Sequence, residues 1–182
     1  IAAVWTLLKL IVPIARGIAG AMAAARERKA GRGDLLDITE RDLPIGIIAI
    51  VILVSVVPMG LLLAGFAHGG VIADHLWLTL AAAILYVLVI GIVIASVTGY
   101  MAGLIGASNS PVSGVGILSA LGISRGLLAI FGRSGDAATT KGLVAFALFV
   151  TGWVFGIATI ANDNLQDLKT GQLGAATPWR QQ

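Results

Sequence analysis

Four polar side chains, Ser108, Asn109, Ser110 and Ser113, stand with Pro111 inside a stretch of 49 residues, Leu76 to Ser124, that contains no charged residue and no histidine. Hydroxyl and amide groups both donate and accept hydrogen bonds, and Gly106, Gly114 and Gly116 allow the backbone itself to approach a bound molecule. Lipid cannot satisfy such groups, so they must face protein or water. A helix break at membrane depth, built from small residues and carrying side-chain donors and acceptors, is a way of holding a solute inside a bilayer. Pro111 interrupts the backbone ladder, and a half-helix starting there would aim free amides and a positive dipole end at an anionic group such as a carboxylate.

A second constellation follows the fourth apolar run: Asp163, Asn164, Gln166, Asp167 and Lys169. A carboxylate at the edge of a low-dielectric region can take up and release a proton, which suits proton coupling. The competing expectation makes Asp163 and Asn164 a helix terminus and Lys169 a snorkelling anchor paired with a nearby Asp. His68, Asp74 and His75 share one short loop, but the histidines are not at the i, i+4 spacing that sets two ligands on one helix face. They read as loop residues, and no metal site or cofactor is assigned. With no cysteine, disulfides, thiolate metal sites and Cys nucleophiles are excluded.

The elements that position these residues are membrane helices. The chain is 58% hydrophobic and 12% charged, with a mean hydropathy of +0.97, whereas charged residues make up about a quarter of a soluble domain. The expected segments are a partial span at 1–15, a cytoplasmic loop at 16–43, spans at 44–67 and 76–106, a half-helix or short span at 111–131, a span at 142–161 and a polar tail at 162–182. The chain opens inside an apolar run too short to cross a bilayer, so it is expected to be a fragment. Six of the twelve Lys and Arg residues (Arg16, Arg26, Arg28, Lys29, Arg32 and Arg41) fall in the first loop, which marks that side as cytoplasmic.

Leaving out Lys9, a re-entrant 111–131 segment puts nine basic residues inside and two outside, while a full crossing gives eight and three. Positive-inside bias therefore prefers the re-entrant arrangement by one residue. Pro58 should kink the first complete span. Gly99/Gly103, Gly122/Gly126 and Gly152/Gly156 each form a G-x-x-x-G, which predicts close helix packing within one polytopic protein.

Gly-Tyr-Met-Ala-Gly-Leu-Ile-Gly-Ala-Ser-Asn-Ser-Pro-Val-Ser-Gly-Val-Gly at Gly99 to Gly116, and Asp-Asn-Leu-Gln-Asp-Leu-Lys-Thr-Gly with Ala-Thr-Pro-Trp-Arg-Gln-Gln at Asp163 to Gln182, resemble the oligopeptide transporter family. The likeness is greatest to its bacterial members related to the yellow stripe-like metal-chelate transporters, and it covers Leu43 onward. The resemblance implies a larger protein of more than a dozen membrane segments that takes up small peptides, glutathione-like compounds or metal complexes of peptide-like chelators, with protons. On the first family motif it places Tyr100, Ser108, Asn109, Ser110, Pro111 and Ser113 as substrate-binding candidates. On the second it places Asp163, Asn164, Gln166, Asp167 and Lys169 as coupling or gating candidates. Trp179-Arg180 departs from the more basic Pro-Arg-Lys pattern of the family, and Gly174-Ala175 is also altered.

The expected fold is all-α, a polytopic transmembrane helical bundle with a re-entrant or broken helix segment, in a multi-pass protein of the bacterial inner membrane. The expected partners are a small-molecule or peptide substrate, protons, membrane lipid and the remaining helices of a full-length transporter, with no nucleic acid. A passive channel or pore subunit is the alternative, since it would use the same Gly/Ser break without a titratable carboxylate. A membrane enzyme is disfavoured, because no acid pair or Ser-His arrangement sits at membrane depth.

Overall fold

The computed structural model describes residues 38–68, 71–105, 112–133 and 136–182, together with scattered positions between 12 and 30. Four helices, each long and apolar enough to cross a membrane, make up most of it: α1 (Ile45–Ala67), α2 (Leu76–Ile105), α3 (Val112–Phe131) and α4 (Ala137–Leu173). Short 3-10 turns lie at Ile38–Glu40, Val71–His75 and Pro178–Arg180, and no strand occurs among the described residues. The protein is an all-α membrane bundle.

Several helix ends have a local cause. The carbonyl of Pro44 accepts the amides of Ile47 (2.9 Å) and Ile48 (3.3 Å), which starts α1, and α1 then runs through Pro58 as one helix. Gly132, at φ +69°, ends α3, and its amide donates to the carbonyl of Leu128 at 2.9 Å. Asp136 starts α4 by accepting the amide and the hydroxyl of Thr139, both at 2.9 Å. These donors favour the charged carboxylate and hold its pKa below the ordinary 3.8.

At its far end α4 does not stop where the sequence turns polar. It continues through Asn162 to Leu173, so Asp163 and Asn164 lie within a helix, not at its terminus. Hydropathy falls at Asn162, but the backbone ladder of the helix continues unbroken. A Schellman motif closes the helix: the amide of Ala176 donates to Gly171 (2.8 Å) and that of Ala175 to Gln172 (3.2 Å). Ala175 occupies the left-handed position at φ 54°, where glycine is usual.

The chain forms two compact units by its internal contacts. One comprises 52–95 and 111–160, and holds the apolar core. Each helix contributes one buried stripe: Met59, Leu63 and Ala67 from α1, Leu80, Ala83 and Val87 from α2, Ile123 and Leu127 from α3, and Phe146, Val150, Val154 and Ala158 from α4. With little hydrophobic drive between helices in lipid, such a core rests on close packing.

Large side chains seated on glycines provide that packing. A Cβ on Gly122 would collide with the hydroxyl of Tyr86, and one on Gly116 with the Phe155 ring. On Gly91 it would press on Cδ1, the far end of the Ile157 side chain, at 2.8 Å, with Ile157 Cγ2 at an ordinary 3.7 Å. Phe66 stacks on Phe149 at 4.6 Å and 5°, and His75 meets the edge of Phe131 at 5.5 Å. Since Tyr86 sits on Gly122 and His75 on Phe131, α2 and α3 run antiparallel. Of the three predicted glycine pairs, only Gly99 and Gly122 receive a close neighbour, while Gly103, Gly126, Gly152 and Gly156 have none within 4 Å. One glycine suffices when a side chain, and not a second backbone, fills the gap.

Candidate functional site

The second unit comprises 1–51, 96–110 and 161–182, and its described part holds Asp42, Asp163, Asp167, Lys169 and Arg180. Small size decides how its two helical segments meet. Gly99 of α2 faces Leu165 of α4 so closely that a Cβ would lie 3.0 Å from Leu165 Cγ and 3.7 Å from the carbonyl oxygen of Ala161. Thr98 and Asn162 are buried there, and the Asn162 side-chain amide donates to Asp163 Oδ1 at 3.2 Å.

The segment after α4 folds back on the residues before α1. The amide of Trp179 donates to the carbonyl of Arg41 at 3.1 Å, and the amide of Leu43 donates to Gln182 Oε1 at 2.9 Å. Gln182 Nε2 reaches Asp42 Oδ1 at 3.5 Å. Gly171, buried, meets the side-chain amide of Gln181, and Arg180 lies over the Trp179 ring at 5.2 Å. Gln182 thereby supplies an acceptor to an amide that no helix serves, because Leu43 precedes the first turn of α1.

Within this unit lies a cavity of about 220 Å³. Leu165, Leu168, Lys169 and Gln172 line one wall, at the i, i+3, i+4 and i+7 spacing of a single helix face. Thr39 and Asp42 line another, with Gly103 and Pro178. Lys169 Nζ donates to Gln172 Oε1 at 3.2 Å. The cavity therefore carries one acid, one base, a hydroxyl and an amide over an apolar floor. Such a set can bind a small polar molecule with charges of both signs.

Of the residues singled out in the sequence, Lys169 lines this cavity. Asp163 and Asp167 lie on the opposite side of α4 at 100° per residue and are exposed, with Asn164 and Gln166 half-buried between the two faces. Tyr100 is half-buried in α2 next to Gly99, whereas Ser113 is exposed in the first turn of α3 and belongs to the other unit. Ser108, Asn109, Ser110 and Pro111 lie outside the described residues. Thr39, Asp42, Gln172 and Pro178 were not anticipated. Asp42 and Thr39 read as part of a charged linker, and only the folded chain brings them to α4.

A family model for OPT oligopeptide transporter proteins matches residues 1–182. A Haemophilus influenzae protein named "Putative oligopeptide transporter" is 39% identical over 186 residues; the match covers 100% of this chain and 29% of that protein. The chain thus spans less than a third of the length of its relative. No solved structure matches it.

Proposed function

This chain belongs to the OPT oligopeptide transporter family, and we propose that it forms part of the translocation pathway for small peptides or peptide-like metal chelates, driven by protons. The observation that carries this reading is the cavity in which Asp42 and Lys169 stand over an apolar floor of Leu165, Leu168 and Pro178. A peptide bears an ammonium and a carboxylate joined by hydrogen-bonding amides. An acid, a base, Thr39 and Gln172 answer each of those groups.

Tyr100, Ser108, Asn109, Ser110, Pro111 and Ser113 contact the solute along the first motif in this reading. Asp163, Asn164, Gln166 and Asp167 serve coupling or gating, with the exposed Asp163 and Asp167 open to protons from water, while Lys169, grouped with them by the second motif, lines the cavity and contacts the solute. The length of α3, 20 residues or about 30 Å, supports a full crossing by this segment in place of the re-entrant arrangement that the basic-residue count favours by one. The protein resides in the bacterial inner membrane with 38–43 on the cytoplasmic side, as the basic first loop indicates, and 178–182 on the same side, a reading supported by the Trp179 amide bonded to the Arg41 carbonyl at 3.1 Å.

The test is uptake by proteoliposomes of the intact protein, offered tripeptides, glutathione and ferric chelates with and without an inward proton gradient. Stimulation by the gradient, with uptake reduced at least tenfold in Lys169→Gln, the loss of about one charged hydrogen bond, is the expected result. Uptake that is unchanged when the gradient collapses supports the passive-channel reading in its place.

A further inference from the structure

We propose that the trench between the end of α3 and the start of α4 binds an anionic phospholipid, with its headgroup on Arg133 and an acyl chain along the helix pair. The trench has a volume of about 270 Å³ and belongs wholly to the unit that holds the apolar core. Its floor is the buried Leu127 and Ala147, and its walls are Leu128, Leu143 and Val144, of which Leu128 and Val144 are 41% and 52% exposed. On α4 the lining runs from Thr140 to Ala147, about 10 Å along the helix axis. A trench of that length lined by Leu127, Leu128, Leu143, Val144 and Ala147 suits a hydrocarbon chain more closely than a compact polar solute.

One end of the trench is charged. Arg133 follows Gly132, whose left-handed turn ends α3, and it lines this end of the trench with Thr140 of α4, while Ser124 lines the other end, nine residues earlier in the sequence. The guanidinium makes no hydrogen bond or ion pair with any described residue. Arg125 and Lys141, both exposed, add two further cations to the stretch 124–141, and Asp136 is its one acid. The Asp136 carboxylate is bound to the amide and hydroxyl of Thr139, at the first turn of α4. The Thr140 hydroxyl donates to the Asp136 carbonyl at 2.9 Å, leaving its own lone pairs for a donor. An uncompensated cation at the helix ends and an apolar channel leading from it describe an amphiphile with an anionic head. A guanidinium holds a headgroup phosphate through two parallel N–H donors.

The experiment uses the intact protein purified in detergent and titrated with phosphatidylglycerol, phosphatidylcholine and glycerol 3-phosphate, with bound lipid read by native mass spectrometry and stability by thermal melting. Phosphatidylglycerol is expected to be retained and to raise the melting temperature, phosphatidylcholine to bind more weakly, and glycerol 3-phosphate to do neither. Arg133→Gln should lower phosphatidylglycerol affinity about fivefold, the factor carried by one interfacial cation. Ala147→Phe, which fills the channel and keeps every charge, should displace the lipid as well. Melting of the lipid-free variants shows that each is folded. Equal retention of the two lipids, no effect of Arg133→Gln, or stabilisation by glycerol 3-phosphate alone would each overturn the proposal.

Discussion

The Tyr86 hydroxyl donates to the backbone carbonyl of Ser119 at 2.8 Å, across the α2–α3 contact that Gly122 keeps narrow. The Ser119 hydroxyl, fully buried, has no hydrogen-bond partner among the described residues. The carbonyl is satisfied and the side chain is not, so the two residues should respond in opposite ways. Tyr86→Phe should lower stability by about 0.5–1.5 kcal/mol through the lost bond. Ser119→Ala removes a buried group with no partner and should leave stability unchanged or raise it. Thermal melting of the intact protein in detergent reads both.

Glycines that face rigid rings should tolerate a methyl group less well than one that faces a flexible tip. Gly116→Ala drives a Cβ into Phe155 and should cost about 1–3 kcal/mol by overpacking. Gly91→Ala presses closely only on the end of the flexible Ile157 side chain and should cost less. Equal losses in the two variants would show that the ring contact does not limit the approach of α3 to α4.

Ala175 and Gly132 make a reciprocal pair. Both hold left-handed backbone at a helix end, at φ 54° and φ +69°. Ala175→Gly relieves a Cβ penalty and should stabilise by about 0.5–1 kcal/mol, while Gly132→Ala introduces one of similar size. Opposite shifts in melting temperature are the expected signature.

The stability contributed by the Asp136 cap should depend on acid. Because Thr139 stabilises the charged carboxylate, the folded pKa lies below 3.8. The contribution is complete above the unfolded value and is lost as pH falls through the lowered folded value. Melting curves taken from neutral pH downward should show an acid-side loss that is absent in Asp136→Asn.

The two faces of α4 should separate binding from coupling. Lys169→Gln is expected to raise the KM for peptide, because Lys169 lines the cavity. Asp163→Asn with Asp167→Asn is expected to weaken the dependence of uptake on the proton gradient with little change in KM. Uptake kinetics at several gradients distinguish the two, and identical profiles would refute a division of labour.

Much of the helical layout was legible in the sequence, because uncharged runs of more than 20 residues leave few alternatives. The extension of α4 past Ala161 was not, since a hydropathy fall looks the same whether a helix ends or merely leaves the bilayer. Its Leu165, Leu168 and Gln172 spacing carried the missing signal: a helix face persisting among polar neighbours. Lys169 could be found because its family motif is long and ordered. Asp42 and Thr39 could not, because their proximity to Lys169 arises from folding over more than a hundred intervening residues.

That separation has a consequence for biosynthesis. Gln182 accepts the amide of Leu43 from 139 positions away, so the start of α1 waits for its partner until translation has passed all four helices. Contacts between such distant residues close late, and the nascent chain must hold its early segments competent in the meantime. Ribosome-stalled nascent chains cut short before Pro178 should therefore expose residues 41–43 to proteolysis, and longer ones should protect them.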